Sequence, residues 1–129
     1  MDEEEPELRA LASHFARLGG ALWLAGEGAG MIATRPLPSG AWEICRVYVH
    51  PEHHGGGLAQ RLMQCAEAYS GAPAYELWTD TRFARAHRFY EKLGYRRSGE
   101  RALHDRSNSR EYRYDKPGAP SRALPSGSA

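Results

Sequence analysis

The stretch that decides the fold is VYVHPEHHGGGLAQRL, residues 47–62. It runs from β-branched and aromatic residues into three consecutive glycines, and then into apolar positions at helical spacing. The stretch therefore predicts a strand, a glycine turn and a helix. Backbone N–H groups that no Cβ covers, at the positive end of a helix dipole, are suited to binding a phosphate or a diphosphate.

Working outward from this stretch, hydrophobic periodicity predicts the other elements. Helices are expected near 8–18, 58–69 and 82–93, and strands at 21–25, 31–34, 42–49, 75–79, 95–103 and 110–114. The middle unit, strand 42–49, helix 58–69 and strand 75–79, predicts one right-handed parallel crossover in an otherwise antiparallel sheet. The expected fold class is a mixed α/β (α+β) domain.

Length and composition indicate the number of domains and the class of partner that the protein can bind. A length of 129 residues predicts one domain, placed at 6–116, and the Pro/Gly/Ser-rich residues 117–129 are predicted to be a disordered tail. Seventeen Lys and Arg against sixteen Asp and Glu argue against nucleic-acid binding. No apolar run approaches the ~20 residues that span a bilayer. Cys45 and Cys65 form no ligand or disulfide pattern, so we expect a cytoplasmic protein.

Three phosphate-binding patterns compete for the glycine turn. A Walker loop ends in Gly-Lys-Ser/Thr, and Gly57 is followed by Leu58 and Ala59 instead. A dinucleotide fingerprint would need a third glycine where Gln60 stands. The turn resembles a third pattern, Gln/Arg-x-x-Gly-x-Gly/Ala, the acyl-CoA diphosphate loop of the GNAT N-acetyltransferase superfamily, in every position except His54.

A second stretch supports the same resemblance. AHRFYEKLGY, residues 86–95, is similar to the "A..lYeklGF" helix of the superfamily and follows the glycine turn at the usual distance. Together the two motifs place the resemblance over roughly 31–114. The resemblance implies the GNAT fold with a short N-terminal region, a sheet splayed between strands 42–49 and 75–79, and acetyl-CoA as co-substrate with its pantetheine arm in the gap.

The resemblance also implies catalytic roles. Glu43 stands where some members carry a general base, which would take a proton from the amine through water. Tyr90 corresponds to the tyrosine general acid that protonates the departing thiolate. The implied activity is direct transfer of an acetyl group to a primary amine in a ternary complex, with a small-molecule or peptide amine as acceptor.

Cofactor contacts are carried over position by position. They are expected from the strand main chain (Val47, Tyr48, Val49), with the N–H of Tyr48 or Val49 as oxyanion donor, from the turn (His54, Gly55, Gly56, Gly57, Leu58, Ala59, Gln60), and from Phe83. His54 replaces the usual Gln or Arg, and Phe83 replaces a common asparagine. Arg82 or Arg85 is a candidate for the 3′-phosphate, and Asp105 and Ser107 for the acceptor.

Other interpretations remain beside this one. A non-catalytic acyl-CoA-binding or regulatory module is the alternative function, because of the two departures and the short N-terminal region. The resemblance implies that N-terminal elements wall the acceptor pocket, and these are short here. Their shortage implies either a wide-open site or a homodimer in which a partner subunit completes the pocket. His50, His53 and His54 lack a carboxylate or cysteine partner at a familiar spacing, so no metal site is expected. Cys45 and Cys65 are interpreted as small buried hydrophobic residues.

Overall fold

The computed structural model describes residues 5–26 and 28–118. These residues form, in chain order, α1 (Glu5–Arg17), β1 (Ala21–Ala25), β2 (Gly30–Pro36), β3 (Trp42–Val49), α2 (Leu58–Ser70), β4 (Ala74–Asp80), α3 (Ala84–Lys92), β5 (Arg96–Ala102) and β6 (Arg110–Pro117). A 3₁₀ turn, Pro51–His53, separates β3 from α2. None of the helices in the described ranges has the length and apolar character needed to cross a membrane.

The predicted elements are present, with small differences at their ends. β3 has the bounds expected for the strand at 42–49. α3 begins at Ala84 rather than at 82, because the Asp80 carboxylate accepts the Arg82 N–H at 2.8 Å and so holds residues 80–83 in a turn. β6 continues to Pro117, the first residue of the predicted tail, whereas 119–129 lie outside the described residues.

The chain divides after Ser70 into two compact units. In the first unit, β2 pairs antiparallel with both β1 and β3. The short glycine-rich connection between β1 and β2 explains the hairpin, since an antiparallel pair needs only a tight turn. The buried side chains of this unit are Phe15, Ile32, Ala33, Thr34, Ile44, Leu62, Met63 and Ala66.

In the second unit, β6 pairs antiparallel with both β4 and β5. β4 alternates strictly between buried and half-buried residues, so that Tyr75, Leu77 and Thr79 face one side and Glu76 and Trp78 the other. α3 contributes His87 and Tyr90 to the buried side chains. β5 pairs only with β6 among the described strands, and it carries exposed, mostly charged residues: Arg96, Arg97, Ser98, Glu100 and Arg101.

Candidate functional site

The glycine turn predicted to bind phosphate connects β3 to α2. The chain leaves the 3₁₀ turn at His53, passes through residues 54–57 and enters α2 at Leu58. Gly55 has φ 86° and Gly57 has φ 82°, values that only glycine adopts at little cost, whereas Gly56 has no positive φ. The glycines at 55 and 57 are therefore required by the backbone, and the one at 56 is not.

Six successive backbone amides, from the turn into the first residues of α2, lack a hydrogen-bond acceptor. In the part of the chain that the structure describes, the N–H groups of residues 55–60 donate no hydrogen bond, and the first amide of α2 that is bonded belongs to Arg61, which donates to the Gly57 oxygen at 3.0 Å. Residues 51–57 are exposed. Unpaired N–H groups at a helix N-terminus are the hydrogen-bond donors that a diphosphate needs.

The three histidines near the turn are spread over separate contacts. His54 Nε2 donates to the Val49 carbonyl at 3.0 Å, so its ring is directed back to β3, and His50 Nδ1 accepts the Glu52 N–H at 3.1 Å. The rings of His50 and His53 lie 6.3 Å apart. Among the residues described, no group of three or more His, Cys, Asp or Glu side chains is arranged to hold a metal ion.

β3 contains a bulge just before the turn. Cys45 pairs with Ala33 and Tyr48 pairs with Met31, so that Arg46 and Val47 together oppose Ile32. Arg46 has φ 55°, an uncommon conformation for a residue with a Cβ. A bulge leaves the extra residue outside the regular ladder. The bulge therefore interrupts the strand at Val47, directly before Tyr48 and Val49.

Glu43, the predicted base, lies at the start of β3 in an ion pair. Arg35, its partner across β2, places Nε 2.9 Å and Nη2 2.6 Å from the Glu43 Oε1. The hydrogen bond to Glu43 raises the pKa of Arg35. Oε2 has no hydrogen-bond partner among the described residues, and the side chain is 16% exposed. One carboxylate oxygen is thus committed to Arg35, and the other is free to bind water.

The two cysteines differ from the expectation. Cys45 is half-buried, and burial raises the pKa of its thiol to about 11, so that the thiol stays protonated near neutral pH. Cys65 is exposed, so the prediction that it is buried is wrong. The buried face of α2 consists of Leu62, Met63 and Ala66, and Cys65 lies on the other side of the helix.

Tyr90, the predicted acid, lies in the second unit with its ring buried. The residue is 7% exposed, and its ring is 6.1 Å from that of Tyr95 and 6.2 Å from that of Tyr114. No described residue forms a hydrogen bond with its hydroxyl, and the oxygen is not completely shielded from solvent. Burial raises the pKa of Tyr90 to about 12.

The start of α3 holds the other predicted contacts of this unit. Phe83 is 59% exposed at the N-cap and makes no capping hydrogen bond with its side chain. Arg82 is already bound, with Nε 2.8 Å and Nη2 2.7 Å from the two oxygens of Asp80, and Nη2 3.1 Å from the Ser109 hydroxyl. Arg85 is exposed on α3. Of the two candidates for a phosphate contact, only Arg85 therefore has no ion pair within the described residues.

Hydrogen bonds within the loop between β5 and β6 hold its conformation. The Asp105 Oδ1 accepts the Ser109 N–H at 2.8 Å, a hydrogen bond that lowers the pKa of Asp105, and the Asn108 N–H donates to the Asp105 carbonyl at 3.0 Å. Ser107 is exposed in this loop. Asp105 therefore uses one carboxylate oxygen to shape the loop.

Sequence reasoning missed two side chains that lie near the predicted site residues. Arg61 Nη1 donates to the Gly56 carbonyl at 3.3 Å, within the glycine turn. His87 is buried beneath α3, where Nε2 donates to the Asp80 carbonyl at 2.8 Å and the ring stacks on Tyr114. A helical apolar stripe does not reveal either residue, although the i, i+3 spacing of His87 and Tyr90 is a signal that both share one face.

Comparison with known proteins identifies the domain. The family model described as the GNAT acetyltransferase domain matches residues 18–97, more than half of the chain. No curated protein sequence matches this chain.

Solved structures show the same fold at low identity. A GNAT acetyltransferase from Staphylococcus aureus Mu50 is 18% identical over 91% of this chain and 80% of its own, with a TM-score of 0.72. Nourseothricin acetyltransferase is 22% identical over 70% and 58%, with a TM-score of 0.66. A Bacillus anthracis structure assigned as a streptothricin acetyltransferase, solved with acetyl coenzyme A, is 18% identical over 78% and 63%, with a TM-score of 0.67.

The chain thus spans less than two thirds of the length of the last two proteins. At these identities the likeness is one of fold, and it confirms the fold class predicted from the sequence, a mixed α/β domain of the GNAT type. The chain belongs to the GNAT acetyltransferase family.

Proposed function

We propose that the protein is an acetyl-CoA-dependent N-acetyltransferase that moves the acetyl group directly to a primary amine in a ternary complex. The observation that carries the proposal is the row of unpaired amides at residues 55–60, which fits the diphosphate of a CoA ester. Family membership and the relative solved with acetyl coenzyme A support the choice of cofactor. Bound acetyl-CoA supplies an acetyl group activated as a thioester.

In the proposed reaction, the amine nitrogen bonds to the acetyl carbon and the carbon–sulfur bond breaks. Glu43 receives the proton of the ammonium through a water on Oε2, the oxygen that Arg35 does not occupy. Main-chain N–H groups of Tyr48 or Val49, just beyond the bulge, stabilise the developing oxyanion. The other proposed contacts of the cofactor are with Val47 and Phe83.

Tyr90 completes the proposed proton transfers. Its hydroxyl donates a proton to the thiolate as the sulfur departs, and solvent returns it. Two features support this role: no described residue forms a hydrogen bond with the hydroxyl, and a pKa of about 12 keeps the phenol protonated at neutral pH. Direct transfer needs no acyl-enzyme, in agreement with the protonated thiol of Cys45.

The proposal is tested by mixing the protein with acetyl-CoA and a panel of primary amines, and by following free thiol and acetylated product. We expect thiol release that depends on the amine and forms one acetylated amine per thiol. Release without amine would be hydrolysis. No turnover with any amine, together with no thermal shift on addition of CoA, would reject the proposal.

A second candidate function is a non-catalytic acyl-CoA-binding module. The ion pair of Glu43 with Arg35 favours it, because Arg35 occupies one of the two carboxylate oxygens that could receive a proton. Under this alternative the protein binds CoA with a measurable thermal shift and acetylates no amine. The same assay therefore separates the two functions.

A further inference from the structure

An arginine of α2 forms hydrogen bonds with carbonyl oxygens of the glycine turn. Arg61 is the fourth residue of α2, and both its main chain and its side chain reach back to the turn. Its N–H donates to the Gly57 oxygen at 3.0 Å, and its Nη1 donates to the Gly56 oxygen at 3.3 Å. A Cβ built on Gly57 would lie 3.4 Å from the same Nη1, so the guanidinium rests against the turn.

These two hydrogen bonds determine where the neighbouring amides point. In a trans peptide the C=O and the following N–H project in opposite directions, and the described residues contain no cis peptide. Holding the Gly56 oxygen toward Arg61 directs the Gly57 N–H away from it. Holding the Gly57 oxygen does the same for the Leu58 N–H.

His54 does not act in this way at the other end of the turn. Its ring donates the Nε2–H to the Val49 carbonyl at 3.0 Å and so is directed to β3. Among the described residues, Arg61 has no carboxylate partner, and only the Gly56 carbonyl accepts from its side chain. Arg61 is thus the cationic side chain that the structure attaches to the glycine turn.

We propose that Arg61 is a positioning residue whose side chain holds the peptide plane after Gly56 with the Gly57 N–H turned outward, and so sets the affinity for the cofactor diphosphate. This inference rests on the proposed function. Pre-oriented donors bind more tightly, because the cost of ordering the turn is met before the ligand arrives. The effect should appear in cofactor affinity and not in the chemical step.

The test compares Arg61→Met, Arg61→Lys and, as control, Arg96→Met, which removes an exposed arginine of β5. We expect Arg61→Met to raise the CoA dissociation constant and the KM for acetyl-CoA at least tenfold, with kcat at saturation within twofold of wild type. Arg61→Lys keeps a donor for the Gly56 oxygen and should bind within threefold of wild type. Arg96→Met should bind like wild type.

A second ligand identifies the group that is bound. 3′-Dephospho-CoA retains the diphosphate, so Arg61→Met should weaken it by the same factor as CoA. A loss confined to CoA would assign Arg61 to the 3′-phosphate and overturn the inference. Unchanged CoA affinity, a loss of kcat alone, or an equal loss in Arg96→Met would also overturn it. If wild type itself binds no CoA, the proposed function fails instead.

Discussion

Arg35 and Glu43 face each other across β2 and β3, and their side chains meet with the Arg35 Nη2 2.6 Å from the Glu43 Oε1. Replacing Glu43 by Gln keeps an oxygen for Arg35 and removes the proton acceptor. We expect Glu43→Gln to lower kcat at least tenfold at neutral pH, while the free energy of unfolding changes by about 1 kcal/mol or less, as is usual for a partly exposed pair.

The matched control for this variant is Glu76→Gln. Glu76 is also a strand carboxylate, its side chain is also 16% exposed, and it pairs with Arg113 at 3.3 Å. Acetylation rates and urea unfolding of both variants separate a catalytic role of Glu43 from a structural one. Equal rates in the two variants would assign Glu43 to structure alone.

Tyr90→Phe removes a hydroxyl that no described residue binds, and leaves the buried ring in place. We expect kcat to fall at least tenfold with little change in CoA affinity, because the hydroxyl acts only as the sulfur departs. Steady-state rates and calorimetric titration with CoA measure the two effects. Tyr69→Phe, at a tyrosine that is 55% exposed, is the control, and an unchanged rate in Tyr90→Phe would remove Tyr90 from the acid role.

The raised pKa of Tyr90 also predicts how stability depends on pH. Burial lifts the pKa from 10 to about 12, so between these values the unfolded chain loses a proton that the folded chain retains. Stability from this residue is present below pH 10 and is lost as the pH rises toward 12, by on the order of 3 kcal/mol. Urea unfolding at pH 8 and at pH 11 should show a smaller decrease for Tyr90→Phe than for wild type. Parallel decreases would contradict this.

The glycine turn offers matched alanine substitutions. Gly55 and Gly40 have φ 86° and 96°, and a Cβ on either would meet nothing within 4 Å, so both variants suffer the same kind of backbone strain. Each should lose roughly 1–2 kcal/mol of stability. Only Gly55→Ala should also weaken CoA binding, as measured by the thermal shift. Gly56→Ala should change neither stability nor CoA binding. Equal thermal shifts in Gly55→Ala and Gly40→Ala would argue against a phosphate site at the turn.

The lowered pKa of Asp80 predicts that the protein loses stability in acid. Hydrogen bonds from Arg82 lower the pKa of Asp80 to about 2, so the stabilisation is present above pH 4 and is lost as the pH falls toward 2. Asp80→Asn should be less stable than wild type at neutral pH, and the difference should narrow in acid. Unfolding curves at pH 7 and pH 3 test this, and a constant difference would contradict it.

Local patterns predicted the elements because they reflect local physics. β3 and α2 follow from side-chain period and glycine placement. Gly94 follows α3 with φ 99°, the left-handed conformation in which glycine commonly ends a helix. The bulge at Arg46 and Val47 could not be predicted, since it depends on how β3 pairs with β2, and strand alternation does not encode pairing.

The motifs indicate which residues form the candidate site, but not the contacts that these residues make. The glycine turn and Tyr90 stand out in the sequence, and their roles stay predictions. The ion pair of Glu43, the hydrogen bond of His54 to Val49 and that of Arg61 to Gly56 arise from tertiary geometry. The exposure of Cys65 was missed for a similar reason. Several helical stripes of α2 are apolar, and only packing determines which one is buried.

The charged β5 strand has a consequence for self-association. Its outer edge presents arginine and glutamate side chains that a second strand would have to desolvate in order to continue the ladder. Further charge lies across the strand, where Arg101 pairs with Glu111 and covers the Trp78 ring at 4.0 Å. Growth of a fibril or a dimer by adding strands at β5 is therefore disfavoured, and any pairing of copies would use a different surface.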